Sequence, residues 1–264
     1  MKKAFVSNEP RISIKYNGKG DLLIFLHGIG GNKDNWDLNF PILSKYFLCV
    51  AWDTRGYGES EDYEGELNFN DIINDLLKIY KYFDSKKAHI IGLSMGGQIA
   101  CLFYEKYPKK VQSMILCDTH FGLGNLKKKE IEKFIKSRKK PLLEGLQPKD
   151  IALTVSKSLI GDSKNRIAIN ELVNSMSKLH KESYLKTIDA SMTTFHHHIF
   201  PKIDVPTLIL VGEKDSLTPT SMALKIHKLI KNSKFSIIEE AGHLINIEKP
   251  KAFNDRVLEF LKTL

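Results

Sequence analysis

The sequence predicts an α/β fold: a mostly parallel central sheet with helices on both faces and a helical segment inserted late in the sheet. Three observations carry this. Short apolar runs alternate with stretches whose apolar residues recur at helical spacing. Several runs, Leu22-Leu23-Ile24-Phe25-Leu26 foremost, are apolar throughout, as strands buried on both faces are. The alternation stops after Asp118 for about eighty residues, where only amphipathic helical patterns occur, and resumes at Pro206. Right-handed crossovers between parallel strands put all their C-terminal ends on one edge.

In chain order, residues 11–16 alternate apolar and polar as an edge or antiparallel strand does, and Asn17-Gly18-Lys19-Gly20 turns them into the interior strand 22–26. That strand ends in His27-Gly28-Ile29-Gly30-Gly31-Asn32, a loop on the edge where open α/β sheets hold ligands. The next strand, 46–52, runs into Asp53-Thr54-Arg55-Gly56-Tyr57-Gly58-Glu59-Ser60. There Asp53 and Arg55 are expected to lock a turn through an ion pair and backbone hydrogen bonds. A helix over 70–83 follows, with Asn70 or Asp71 to cap it. Strand 88–93 leads through Ser94 into a helix over 98–107 that Pro108 stops, and strand 111–117 ends at Asp118.

Residues 119–200 then show helical patterns at 126–137, 149–160, 164–179 and 182–194, broken by Gly122, Gly124, Pro141, Gly145, Pro148 and Gly161. A strand at 206–212, a helix at 219–230, a strand at 234–239 and a helix at 250–261 complete the chain. The expected organisation is a core of residues 1–118 and 201–264 with a helical lid at 119–200, its helices lying over the Ser94 edge.

With 264 residues, 42% apolar and 27% charged, the composition is that of a globular protein. No stretch approaches the roughly 20 apolar residues of a membrane span, and Met-Lys-Lys is not followed by the apolar core of a signal peptide, so a cytoplasmic protein is expected. Cys49, Cys101 and Cys117 lie in apolar segments without metal-ligand spacing and read as buried free thiols. The formal charge of +9 is local: residues 119–200 hold 15 Lys/Arg against 8 Asp/Glu. These cations are dispersed along helical patterns rather than interleaved with stacking aromatics, which argues against nucleic acid as a partner. They read as the wet face of amphipathic helices, so neutral and anionic substrates are expected to be handled alike; inward-facing lysines or an inward-facing His196, His197 or His198 would instead favour anions.

The chemistry centres on Gly92-Leu93-Ser94-Met95-Gly96-Gly97. A serine at a tight strand-to-helix turn, with glycines two positions before and after it, is a nucleophile elbow that exposes the hydroxyl above the sheet. A serine hydroxyl needs a base, and the base needs an acid to fix its tautomer. His243, after the last strand, and Asp215, after the strand before it, lie on loops at the same edge; Asp118 is the alternative acid. Backbone N–H groups of Met95 and Ile29 are the expected oxyanion donors. His27 is read as structural beneath its loop. With Gly28 and Trp36 it is expected in the wall of an apolar pocket, whose floor Trp36 and Met95 would close.

His27-Gly28-x-Gly30-Gly31, Asp53-x-Arg55-Gly56-x-Gly58-x-Ser60, Gly92-x-Ser94-Met95-Gly96-Gly97, Gly212-x-x-Asp215 and Gly242-His243 together resemble the α/β-hydrolase superfamily, on both sides of the insertion. A serine where haloalkane dehalogenases and epoxide hydrolases carry an aspartate argues against both. Cys117-Asp118-Thr119 and His243-Leu244-x-Asn246-Ile247-Glu248-x-Pro250-x-Ala252-Phe253 are similar to 3-oxoadipate enol-lactonases, small carboxylesterases and cofactor-free haloperoxidases. The resemblance implies an α/β-hydrolase fold and a serine hydrolase cleaving a small-molecule ester or lactone through an acyl-enzyme, with no cofactor or metal. Two other readings stay open: hydrolysis of a carbon–carbon bond in a ring-cleavage product, and a ligand-binding sensor that retains the triad.

Overall fold

The computed structural model describes residues 1–120 and 128–264, with the side chains of 128–131, 133 and 134 left aside. Gly122, Gly124 and the first two residues of the 126–137 pattern lie outside the described residues. Among these, eight strands form one sheet in the order β1-β2-β4-β3-β5-β6-β7-β8. β2 (Ser13–Asn17), β3 (Leu22–Leu26), β4 (Leu48–Trp52), β5 (Ala88–Leu93), β6 (Val111–Cys117), β7 (Thr207–Gly212) and β8 (Ser233–Ile238) fall within two residues of the expected runs. From β4 to β8 every pairing is parallel.

Two features differ from expectation. An exposed edge strand, β1 (Lys2–Phe5), pairs antiparallel with β2; four residues are too few to show a period. The turn at 17–20 is not a hairpin, because β2 pairs with β1 and β4 while β3 lies between β4 and β5. The all-apolar β3 needs helices on both faces, which the centre of the sheet supplies and its edge does not.

The pleat sorts β3 between two cores. Leu23 and Phe25 join a cluster with Phe40, Leu43, Phe253 and Val257, while Leu22, Ile24 and Leu26 join one with Ile72, Leu76, Ile99 and Phe103. On the first face lie the short α1 (Phe40–Leu43) and α10 (Pro250–Leu261), and on the second α2 (Phe69–Tyr82), α3 (Met95–Lys106) and α8 (Thr220–Leu229). Asn68, rather than Asn70 or Asp71, caps α2 by accepting from Asn70 N–H, since capping requires the extended backbone that Asn68 has. Between β6 and β7 come α4 (Lys128–Leu143), α5 (Pro148–Leu159), α6 (Arg166–Ser177) and α7 (Lys181–Thr193), whose buried residues join the first core. α4 runs past its expected end and takes Pro141 into its last turn. A single-turn helix, α9 (Ile245–Glu248), precedes α10. No helix of the described residues is long and apolar enough to cross a membrane.

Register then places the chemistry. Leu26 is level with Gly92, Leu93 with Cys117, Cys117 with Leu210 and Gly212 with Ile238, so His27, Ser94, Asp118 and the loops bearing Asp215 and His243 leave the sheet at one edge.

Candidate active site

Ser94 joins β5 to α3 at φ 54° and ψ −116°, a left-handed conformation that costs a non-glycine residue on the order of 1–3 kcal/mol. Its surroundings hold it there. Ser94 N–H donates to Cys117 O at 2.8 Å, and the Thr119 hydroxyl donates to Ser94 O at 2.8 Å. A Cβ on Gly92 would overlap the Gly96 carbonyl, and one on Gly96 would overlap the Leu26 carbonyl, so the two flanking glycines are required by space. Gly28 approaches so closely that a Cβ there would lie 3.1 Å from Ser94 Cβ, and Ile29, the next residue, lines the same cavity as the serine. Met95 opens α3, so its N–H has no acceptor within the helix.

His243 and Asp215 meet across the loops after β8 and β7. His243 Nδ1–H donates to Asp215 Oδ2 at 2.8 Å; the Thr218 hydroxyl lies 2.5 Å from the same oxygen, and Leu217 and Thr218 N–H donate to Oδ1 at 2.8 and 3.0 Å. Burial pushes the Asp215 carboxyl up, but His243 and Thr218 outweigh it and bring the pKa down to about 2. Asp118 makes no hydrogen bond to His243. Its Oδ1 accepts from Gly212 N–H at 2.8 Å, and burial together with the nearby Asp215 charge holds its pKa well above the usual carboxylate range. The structure thus separates the two acids: Asp215 on the histidine, Asp118 behind it. Thr218, which also donates toward Asp118 O at 2.9 Å, carried no signal in the sequence beyond preceding a helix.

Ser94 and His243 line one cavity of about 150 Å³, although no direct hydrogen bond joins their side chains. Such contacts are often long without substrate. His27, Gly28, Ile29 and Trp36 line the cavity from the core, and Arg138, Leu172, Tyr184 and Met192 from the inserted helices. His27 is also structural: Nδ1–H donates to Gly28 O at 2.8 Å while Nε2 accepts from Thr54 N–H at 3.1 Å, and burial lowers its pKa.

Three expectations need correction. The Met95 side chain packs into the core beneath α3 instead of closing the pocket floor, because its position follows the turn of the elbow. Asp53 and Arg55 do not pair with each other. Asp53 is buried against the Lys33 ammonium and accepts from Lys33 and Glu59 N–H, whereas Arg55 grips both oxygens of Asp75 at 2.7 and 3.0 Å. Finally, the insertion does put a cation in the pocket, but it is neither a lysine nor a histidine. His196 is buried edge-on to His120 with Nε2–H on His120 O, His197 and His198 are exposed, and among the described lining residues Arg138 is the charged one.

A mostly parallel sheet that holds a serine on a strained turn at its C-terminal edge, with a histidine–aspartate pair on later loops of that edge, defines a class of α/β proteins built for nucleophilic chemistry. Within that class the chain belongs to the α/β-hydrolase fold family, whose model matches residues 21–250. It is 28% identical to a candidate 2-succinyl-6-hydroxy-2,4-cyclohexadiene-1-carboxylate synthase of Bacillus subtilis, over 98% of this chain and 97% of that protein. It is 26% identical to a 2-hydroxy-6-oxononadienedioate/2-hydroxy-6-oxononatrienedioate hydrolase of Escherichia coli strain K12, over 95% and 91%. The enol-lactonase of Burkholderia xenovorans LB400 has a similar structure, with TM-score 0.86 and 21% identity over 99% and 100% of the chains.

Proposed function

We propose that the protein is a serine hydrolase that cleaves a carboxylic ester or lactone of a small molecule through an acyl-enzyme. Ser94 is the nucleophile, His243 the general base and then acid, and Asp215 the residue that orients His243. The observation that carries this reading is the 2.8 Å hydrogen bond from His243 Nδ1–H to Asp215, made in the wall of the cavity that Ser94 lines. It leaves Nε2 with the lone pair that accepts the serine proton. Attack of Oγ on the carbonyl carbon forms an oxyanion, for which Met95 and Ile29 N–H are the donors. Collapse breaks the bond to the leaving oxygen, which takes its proton from His243, and a water repeats the sequence on the acyl-serine.

The inserted segment, 119–200, acts as a lid that supplies the far wall of the pocket. Arg138, which lines this pocket from α4 and donates to the Ser158 hydroxyl at 3.2 Å, supports a substrate that carries a carboxylate away from the scissile bond. The relatives named above for a dioate and a carboxylate are consistent with that preference. A second reading on the same residues, hydrolysis of a carbon–carbon bond next to a ketone, is favoured by the likeness to the dioate hydrolase over 95% of the chain.

Ser94→Ala is expected to lose on the order of 10⁶ in kcat on p-nitrophenyl esters or an enol-lactone, and to lose covalent labelling by a fluorophosphonate. Retention of a tenth of the activity would refute the assignment. Product analysis separates ester from carbon–carbon cleavage, and a wild type that resists the probe while binding small carboxylates would point to a sensor.

A further inference from the structure

The loop that carries His243 is built partly on the insertion. His243 N–H donates to Leu159 O, the last residue of α5, at 2.7 Å. Two residues on, Gly161 lies against Gly242 with so little room that a Cβ on either would strike the backbone of the other. A single buried carboxylate joins the two segments: Glu248 Oε2 accepts from Gly161 N–H at 2.8 Å, and Oε1 accepts from Gly242 and Leu244 N–H at 3.0 and 3.2 Å. Glu248 touches neither Ser94 nor Asp215 in any hydrogen bond and does not line the cavity.

We propose that Glu248 makes the base conditional on the inserted helices: it clamps the turn after α5 to the His243 loop, so that His243 stands against Ser94 and Asp215 only while that turn is docked. Glu248 is thus a positioning residue, and the proposal rests on the role given to His243 above. The physical reason is that His243 draws its backbone acceptor from the insertion. When the turn lifts, His243 N–H loses Leu159 O and Gly161 N–H loses Glu248 Oε2 together, while Glu248 keeps only its bonds to Gly242 and Leu244 N–H within the loop. An enzyme of this design hydrolyses nothing while its pocket gapes, because opening the pocket on this side dismantles the base.

The test works on both halves of the clamp. Glu248→Gln turns one oxygen into an amide that opposes N–H groups, and Gly161→Ala pries the same contact from the insertion without touching substrate. Each is expected to lower kcat about tenfold or more with KM changed less than about twofold, and the double variant to be no slower than the worse single, since both break one contact. Amide exchange of His243 and Gly161 should speed up together in Glu248→Gln, and the Nδ1 proton resonance of His243 should broaden. The proposal falls if the two losses multiply, if kcat per folded molecule is unchanged in Glu248→Gln, or if the two amides exchange independently. Should Gly161→Ala not fold, the exchange and proton spectra of Glu248→Gln decide alone. Ser94→Ala serves as the control: activity that survives it overturns the hydrolase reading, whereas activity that needs Ser94 but ignores Glu248 overturns only the clamp.

Discussion

Asp215 and Asp118 follow neighbouring strands at one edge, and in sequence either suits a histidine. What separates them is the path of the chain after each strand: the loop after β7 turns Asp215 back onto His243, while Asp118 continues β6 and bonds to Gly212. On the proposed mechanism Asp215→Asn is expected to lose about 10⁴ in kcat by favouring the wrong imidazole tautomer, and Asp118→Asn far less; the reverse ranking would move the acid to Asp118. The elbow around Ser94 and the Gly242-His243 step are legible in the sequence because their glycines are steric requirements, written at fixed offsets. Partners are less so. That Asp53 would take Lys33 and Arg55 would take Asp75 depends on which charged side chain of another element arrives beside them, which spacing along the chain does not encode.

Among the elements, α4 departs furthest from its sequence pattern. The apolar period weakens near Ser137 and Pro141 signals a stop, yet the helix continues to Leu143, since a proline in the last turn forfeits a single ladder bond. That added length places Arg138 in the pocket wall, where a sequence reading sees one more cation in a lysine-rich run. Arg138→Met is therefore expected to lower kcat/KM for an ω-carboxylate ester about tenfold or more, and for the matching neutral ester much less, with the wild-type preference weakening as salt rises. Equal losses on the two esters would mean that Arg138 only packs. The strands are the most legible elements, because their runs are short, apolar and bounded, whereas β1 and α9 are too short to carry a period.

For the molecule as a whole, the burial of His27, His89, His120 and His196 has a consequence for acid. Burial lowers the pKa of each, to about 3 for His120 and about 4 for His196. The unfolded chain takes up these protons first, so the stability is intact above pH about 6.5 and is lost as pH falls through that value toward the folded pKa, at up to about 1.4 kcal/mol per pH unit for each histidine. Denaturant midpoints at pH 7.5, 6 and 5 should fall steeply, and His89→Gln should flatten the slope; a flat profile would show that these rings accept protons in place. The three cysteines, Cys49 in β4, Cys101 in α3 and Cys117 beside the elbow, are all buried free thiols whose ionisation burial suppresses. Only a thiolate reacts with a disulfide reagent. The native chain is accordingly silent to such a reagent and carries three internal clocks: modification of all three at one rate times global unfolding, whereas early modification of Cys117 alone would time a local breathing of the sheet beneath the serine.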